Sequence, residues 1–335
     1  MAGRTAIPVV VVNDTRVDRH HGCGRVMRTL LDLARAEGLE VIAAAPAHAD
    51  WRADPAFMAA LDRARLVIVN GEGTIHHDRP AGARLLEVGA EARTRAIPAA
   101  LINASWQANG PALAERLADF ALVAAREQRS AAAIAAAGHG ARVVPDLSLN
   151  EPVEPPAIRQ GVGFTDSVVR ELVPALEAAR RRVGGRPAPI QYGGGVLSWV
   201  RQGLGREDLT RPGRLAALVA ARLASAPART ADDRAYMARI AGLDLLVTGR
   251  FHAATFALAA GTPLLALDSN THKIAALIED AGLDARRLLE PGDLTLDRLT
   301  AASWTAAEQA NLADYLADGR RAIQALFADL AKLAA

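Results

Sequence analysis

The sequence has 335 residues, and at roughly 150 residues per domain this gives about two domains, each large enough to bury a core. With 39 basic and 37 acidic residues the formal charge is only +2, which leaves no polybasic coat for nucleic acid or a membrane surface. No apolar run approaches the roughly 18 residues that would span a bilayer, and a single cysteine, Cys23, excludes an intramolecular disulfide and any zinc site built from Cys pairs. The N-terminus enters a short Val9–Val12 run without the features of a secretory signal, so a reducing cytoplasm is the expected compartment.

Along the chain, short β-branched runs alternate with long Ala/Leu/Arg segments of helical period. The strands are predicted over Ile7–Val12, Val41–Ala45, Leu66–Val69, Ala99–Ile102, Ala121–Ala124 and Val143–Val144, with a helix over Arg25–Ala36. Runs such as Val9–Val12 and Val67–Val69 are apolar throughout, as strands of a parallel sheet are when helices cover both faces. The proline-rich stretch Asn150–Pro156 breaks the rhythm and marks a domain boundary. Beyond it, strands are expected at Gly161–Thr165, Pro189–Tyr192, Leu243–Thr248 and Leu264–Leu267. Helices are expected over Val168–Arg182, around Arg214–Ser225, from Ala253 and from Thr271. The reading is therefore α/β, with two Rossmann-like doubly wound domains over 1–150 and 157–305. A C-terminal helical segment over 306–335 is expected to pack across the junction.

Ligands of parallel α/β sheets bind beyond the carboxyl ends of strands, so the polar strand ends are the candidate sites. Asn13-Asp14 and the following His20-His21-Gly22-Cys23-Gly24 lead from the first strand into the first helix, where glycines allow close approach and helix N–H groups attract an anion. A turn with solvated histidines is the alternative. After Leu66–Val69 come Gly71, Glu72, Gly73 and Thr74, then His76, His77 and Asp78, a group rich in acid–base side chains. A divalent metal held by His76, His77 and Asp78 is the minority alternative, because sequence neighbours rarely point the same way. Arg126 ends another strand beside a helix start and suits an anion, and Asp146 caps a turn or lines the same edge.

The strongest signal is Thr248-Gly249-Arg250-Phe251-His252, where an arginine fork and an imidazole stand at the start of an apolar helix and suit a phosphate or carboxylate. Their alternative is an Arg paired to a carboxylate with His252 as a cap. Downstream, His272 and Lys273 open the next helix and add cationic character, or stand as surface residues. Gly193-Gly194-Gly195 is a flexible strand end. No G-x-G-x-x-G follows the first strand, which disfavours a dehydrogenase.

Leu66–Asp78, Val123–Ala137 with Val144-Pro145-Asp146, and above all Leu245–Leu267 followed by His272-Lys273 resemble the polysaccharide pyruvyltransferase family. The resemblance runs from the Asn13-Asp14 loop to about residue 283, and the Arg-x-His helix start is its most specific part. It implies two Rossmann-like domains arranged as in GT-B glycosyltransferases. It also implies transfer of the enolpyruvyl group of phosphoenolpyruvate to a saccharide hydroxyl pair, in cell-surface polysaccharide biosynthesis, with lipid-linked saccharides among the acceptors. A donor site near Arg250, His252 and Lys273 follows. The Gly71-Glu72-Gly73 stretch and the two His-His pairs depart from the family's general pattern.

Phosphoenolpyruvate carries a phosphate and a carboxylate, which Arg250, Lys273, Arg126 and His272 are suited to bind. An acid must protonate its methylene carbon, a role assigned to His252, and a base must take the acceptor proton, a role assigned to Glu72 or His77. Asn13, Asp14, His20, His21, Gly71, Gly73, Thr74, His76 and Asp78 are the expected acceptor-side loops, facing the donor side across a cleft. No cofactor, metal, nucleic acid or membrane span is expected. A GT-B glycosyltransferase using a nucleotide sugar and a non-catalytic sugar- or anion-binding protein are the alternatives.

Overall fold

The computed structural model describes residues 6–193, 232–300 and 302–335, and the pairs 212–213, 215–216 and 219–220. The helix expected around Arg214–Ser225, and Gly194 and Gly195 of the glycine run, lie outside the described residues, apart from those pairs. The chain divides into two compact units. The first comprises the chain up to Asp18, Arg25–Asn150 and Ala317–Ala335, and the second Arg19–Gly24 and Glu151–Leu316.

The first unit holds a six-stranded parallel sheet made of β1 (Ile7–Asp14), β2 (Leu39–Pro46), β3 (Val67–Glu72), β4 (Ala99–Ala104), β5 (Leu122–Ala125) and β6 (Arg142–Val143), in the order β2-β1-β3-β4-β5-β6. Successive side chains of a strand point to opposite faces, and here both faces are apolar. Val10, Val12, Val67, Val69 and Leu101 enter one core layer, and Val9, Val11, Ile68, Ala100 and Ile102 the other. The second layer is completed by Ile323, Leu326, Phe327 and Leu330 of the C-terminal helix Ala306–Ala334, all fully buried. Each such side chain contributes roughly 1.5–3 kcal/mol by leaving water.

The second unit repeats the pattern with five parallel strands, β7 (Val162–Ser167), β8 (Arg186–Pro187), β9 (Leu245–Gly249), β10 (Leu264–Leu267) and β11 (Leu288–Leu289), in the order β11-β10-β9-β7-β8. The strand expected at Pro189–Tyr192 is instead the two-residue β8 followed by an isolated bridge at Gln191. Pro187 lacks an N–H, and the edge position of β8 accommodates it.

In both units the second strand lies to one side of the first and the third returns to its other side. Each sheet therefore has a switch point, β1/β3 in the first unit and β7/β9 in the second, at whose carboxyl ends ligands of such sheets bind. Among the described residues no helix is long and apolar enough to cross a membrane.

Candidate active site

At the β1/β3 edge of the first unit, Asn13 and Glu72 end their strands with φ of 72° and 38°, left-handed conformations that cost a non-glycine residue free energy and cluster at functional sites. Side-chain hydrogen bonds hold them there. The Asn13 amide donates to the Asn70 carbonyl at 2.6 Å and to Thr74 Oγ1 at 3.3 Å, and Asn70 Nδ2 donates to Glu72 Oε1 at 3.0 Å. Thr15 Oγ1 donates to the same carboxylate oxygen. Glu72 is thus a buried, oriented carboxylate, and both Gly71 and Glu72 belong to β3 rather than to the loop after it.

Asp14 is engaged by the Arg16 guanidinium at 2.9 and 3.0 Å. Farther along, the His76 and His77 rings meet Nδ1 to Nδ1 at 2.8 Å, contrary to the expectation that neighbours diverge. Asp78, however, is turned to the Gly110 N–H at 2.8 Å. His76 is buried, whereas His77 and Asp78 are exposed.

Arg126 also lies in the first unit, 3% exposed. Its guanidinium donates to Asp146 at 3.1 Å and Ser105 at 2.8 Å, with Glu127 at 3.6 Å. The charge of Arg126 is thus met inside the fold of the first unit. Asp146 serves both this pair and the cap of Leu147–Leu149, accepting from the Ser148 N–H at 2.9 Å.

The β7/β9 edge of the second unit is built differently. Asp166 and Ser167 end β7, and β9 ends at Thr248-Gly249, followed by Arg250 as the N-cap of the helix Phe251–Ala259. That helix is buried on every side, so its N-terminal N–H groups form part of the sheet edge. A Cβ on Gly249 would come within 2.5 Å of the Ser167 side chain, so only glycine lets the two strand ends meet. Arg250 donates from Nε and Nη2 to the two oxygens of Asp166 at 2.8 and 2.7 Å. Burial works against the charge of Arg250, but the carboxylate outweighs it and the guanidinium is held more firmly protonated than usual. Among the described residues, Nη1 makes no hydrogen bond.

Lys273 opens the helix Lys273–Asp280 after β10, with His272 as its N-cap, and its Nζ donates to Asn270 at 3.2 Å.

The first helix starts at His21 rather than Arg25, so the His-His-Gly-Cys-Gly stretch forms its first turn and not a loop. This turn belongs to the second unit, which moves His20 and His21 from the expected acceptor side to the residues around Arg250. The reason is steric. A Cβ on Gly22 would lie 2.2 Å from His252 Cβ and 2.3 Å from its Cγ, so the missing side chain lets the turn sit directly on His252. The His20 and His252 rings meet edge to face with centroids 5.3 Å apart.

Burial holds the His20 pKa well below the ordinary value, and the nearby His252, Arg250, His21 and Lys273 push it the same way. His21 stacks on Tyr236 at 4.7 Å, and burial lowers its pKa to about 4 against the opposing pull of Asp233 and Asp232.

Sequence reading missed Asp166, and named Cys23 within the first candidate stretch without giving it a role. Asp166 directly follows a predicted strand, where the strand-end rule would have found it. Cys23 lies three residues after His20, a spacing that becomes one helical face only when the helix start is placed correctly.

A family model described as polysaccharide pyruvyl transferase matches residues 40–271 of the chain. No curated protein is significantly similar. Among solved structures, an α,α-trehalose-phosphate synthase (UDP-forming) from Burkholderia vietnamiensis is 13% identical, with 99% of each chain covered and a TM-score of 0.51. A UDP-N-acetylglucosamine 2-epimerase from Rickettsia bellii is 9% identical, covering 96% of this chain and 97% of that one, with a TM-score of 0.50. At these identities the likeness concerns the fold, and it agrees with two Rossmann-like α/β units.

Proposed function

Since the chain belongs to the polysaccharide pyruvyl transferase family, we propose that it transfers the enolpyruvyl group of phosphoenolpyruvate to a saccharide hydroxyl pair. The product is a pyruvate ketal of a cell-surface polysaccharide or its precursor. The observation that supports this reading is the junction of β9 with the buried helix Phe251–Ala259, where Arg250 stands as N-cap and the His252 ring meets that of His20 with centroids 5.3 Å apart.

The donor's phosphate and carboxylate are taken by Arg250 through its Nη1 end, by Lys273 and by the N–H groups that open the helix Phe251–Ala259. Asp166 fixes the guanidinium plane and keeps it charged, so little side-chain order is lost on binding. Arg126 has no part in this set.

His252 gives a proton to the methylene carbon, which becomes a methyl group, and the adjacent carbon becomes electrophilic. The first acceptor hydroxyl adds there and gives its proton to a general base, a role for which the oriented carboxylate of Glu72 is the candidate on its own unit. The C–O bond to phosphate then breaks, and the leaving phosphate carries the electron pair. The second hydroxyl adds to the resulting oxocarbenium and releases its proton, closing the ketal, so one phosphoenolpyruvate and one diol give one ketal and one inorganic phosphate.

The test is a panel of glycan acceptors incubated with carbon-labelled phosphoenolpyruvate. Phosphate release that depends on an acceptor, with label retained in the glycan, is the expected result. Turnover of a UDP- or CMP-sugar with phosphoenolpyruvate inert would replace this reading with a glycosyltransferase.

A further inference from the structure

The first helical turn brings together a cluster of which the transfer chemistry uses only His252. His20 is the N-cap of the helix His21–Ala36, its carbonyl accepting from the Gly24 N–H at 2.9 Å, and Cys23 follows on the same face one turn later. His252 approaches from the start of the helix Phe251–Ala259. One ligand atom from each of His20, Cys23 and His252 lies within 4.8 Å of the other two.

We propose that His20, Cys23 and His252 bind a zinc-type divalent cation, and that its binding switches the enzyme off. The regulatory half of the proposal rests on the role given to His252 above, whereas the metal site does not.

Three features favour the site. The donor set is two imidazoles and a thiolate, which selects Zn²⁺, Co²⁺ or copper over Mg²⁺ and Ca²⁺. Ligand atoms on a tetrahedral zinc are about 3.3–3.8 Å apart, from bonds of roughly 2.0–2.3 Å, so the cluster needs an inward movement of only about 1 Å. Gly22 already clears the space through which His252 reaches the turn, so the backbone is set and only side chains need to move. Cys23 and His252 are buried and His20 is partly exposed, which gives the ion one open side.

Arg250 is no obstacle, because Asp166 neutralises it. With three protein ligands the fourth position stays open. An imidazole nitrogen bound to metal has no proton to give, so occupancy stops protonation of the donor.

The test titrates Co²⁺ into the chelator-treated full-length protein and reads absorption. The expected result is a stoichiometric thiolate-to-cobalt charge-transfer band with tetrahedral visible bands, both lost in Cys23→Ser and at least tenfold weaker in His20→Gln. Zn²⁺ should raise the Tm of the wild type and not of Cys23→Ser, a readout that also reports whether the variant is folded. In the phosphate-release assay, stoichiometric Zn²⁺ should inhibit the wild type at least tenfold, reversibly with EDTA, and leave Cys23→Ser active.

Absence of the band, or its persistence in Cys23→Ser, would overturn the site. Activity that requires added metal would overturn the inhibitory role. A cobalt band in a protein that never releases phosphate from phosphoenolpyruvate would support the site while removing the transferase reading.

Discussion

The two units share one strand order yet carry opposite chemistry at corresponding edges. At β1/β3, amides, a threonine and the Glu72 carboxylate are held on strained backbone. At β7/β9 an arginine and two histidines, Arg250, His252 and His20, meet at the start of a buried helix. Strand order sets where a site forms, and the residues at each strand end set what it binds. On the proposed reading, the first edge takes hydroxyl groups and their protons and the second takes anions.

The largest effect expected from breaking this contrast is on rate. His252→Ala should lower acceptor-dependent phosphate release within the roughly 10²–10⁴-fold range of a general acid, and by at least tenfold if water substitutes. Single-turnover phosphate release measures it, and an unchanged rate removes His252 from the chemistry.

Next comes a matched pair. Arg126–Asp146 in the first unit and Arg250–Asp166 in the second are both buried ion pairs. Truncating either arginine leaves a buried carboxylate uncompensated, so Arg126→Ala and Arg250→Ala should each destabilise the protein by about 3–5 kcal/mol in urea unfolding. Only Arg250→Ala should also lose affinity for phosphoenolpyruvate. Equal loss in both variants would erase the distinction between a structural and a binding arginine.

A smaller effect is expected at Gly22, where an added methyl meets His252. Gly22→Ala should cost roughly 1–3 kcal/mol of stability and reduce activity in step with the displacement of His252.

The smallest is a pH effect remote from both edges. Hydrogen bonds from the Arg287 guanidinium lower the Glu308 pKa to about 2, against burial, with further help from Thr305 and Asp284. A depressed carboxylate pKa stabilises the fold above the unfolded value near 4.3 and loses that contribution as pH falls toward 2. The Tm of the wild type should therefore fall more steeply than that of Glu308→Gln between about pH 5 and pH 2, a difference that scanning calorimetry resolves.

Much of this was legible in the sequence. The apolar runs Val9–Val12, Val67–Val69 and Leu264–Leu267 are buried parallel strands because helices cover both faces of each sheet. The Arg250–His252 strand-to-helix junction stood out because it joins charge to an otherwise apolar helix. The first helix was misread because Gly22 and Gly24 are poor helix formers, and local propensity hides that Gly22 is there to admit His252. The Arg250–Asp166 pair spans 84 positions, a distance over which a single sequence carries no pairing signal. Arg126 looked like Arg250 at a strand end, and only its contacts with Asp146 and Glu127 separate the two.

The most direct test of the central claim, that the β7/β9 edge holds a doubly anionic donor, is a thermal shift titration with phosphoenolpyruvate. At about a hundredfold excess over Kd the wild type should gain roughly 4 °C in Tm and Arg250→Ala nothing, with UDP- and CMP-sugars inert. A flat response to phosphoenolpyruvate beside a clear rise with a nucleotide sugar would contradict it.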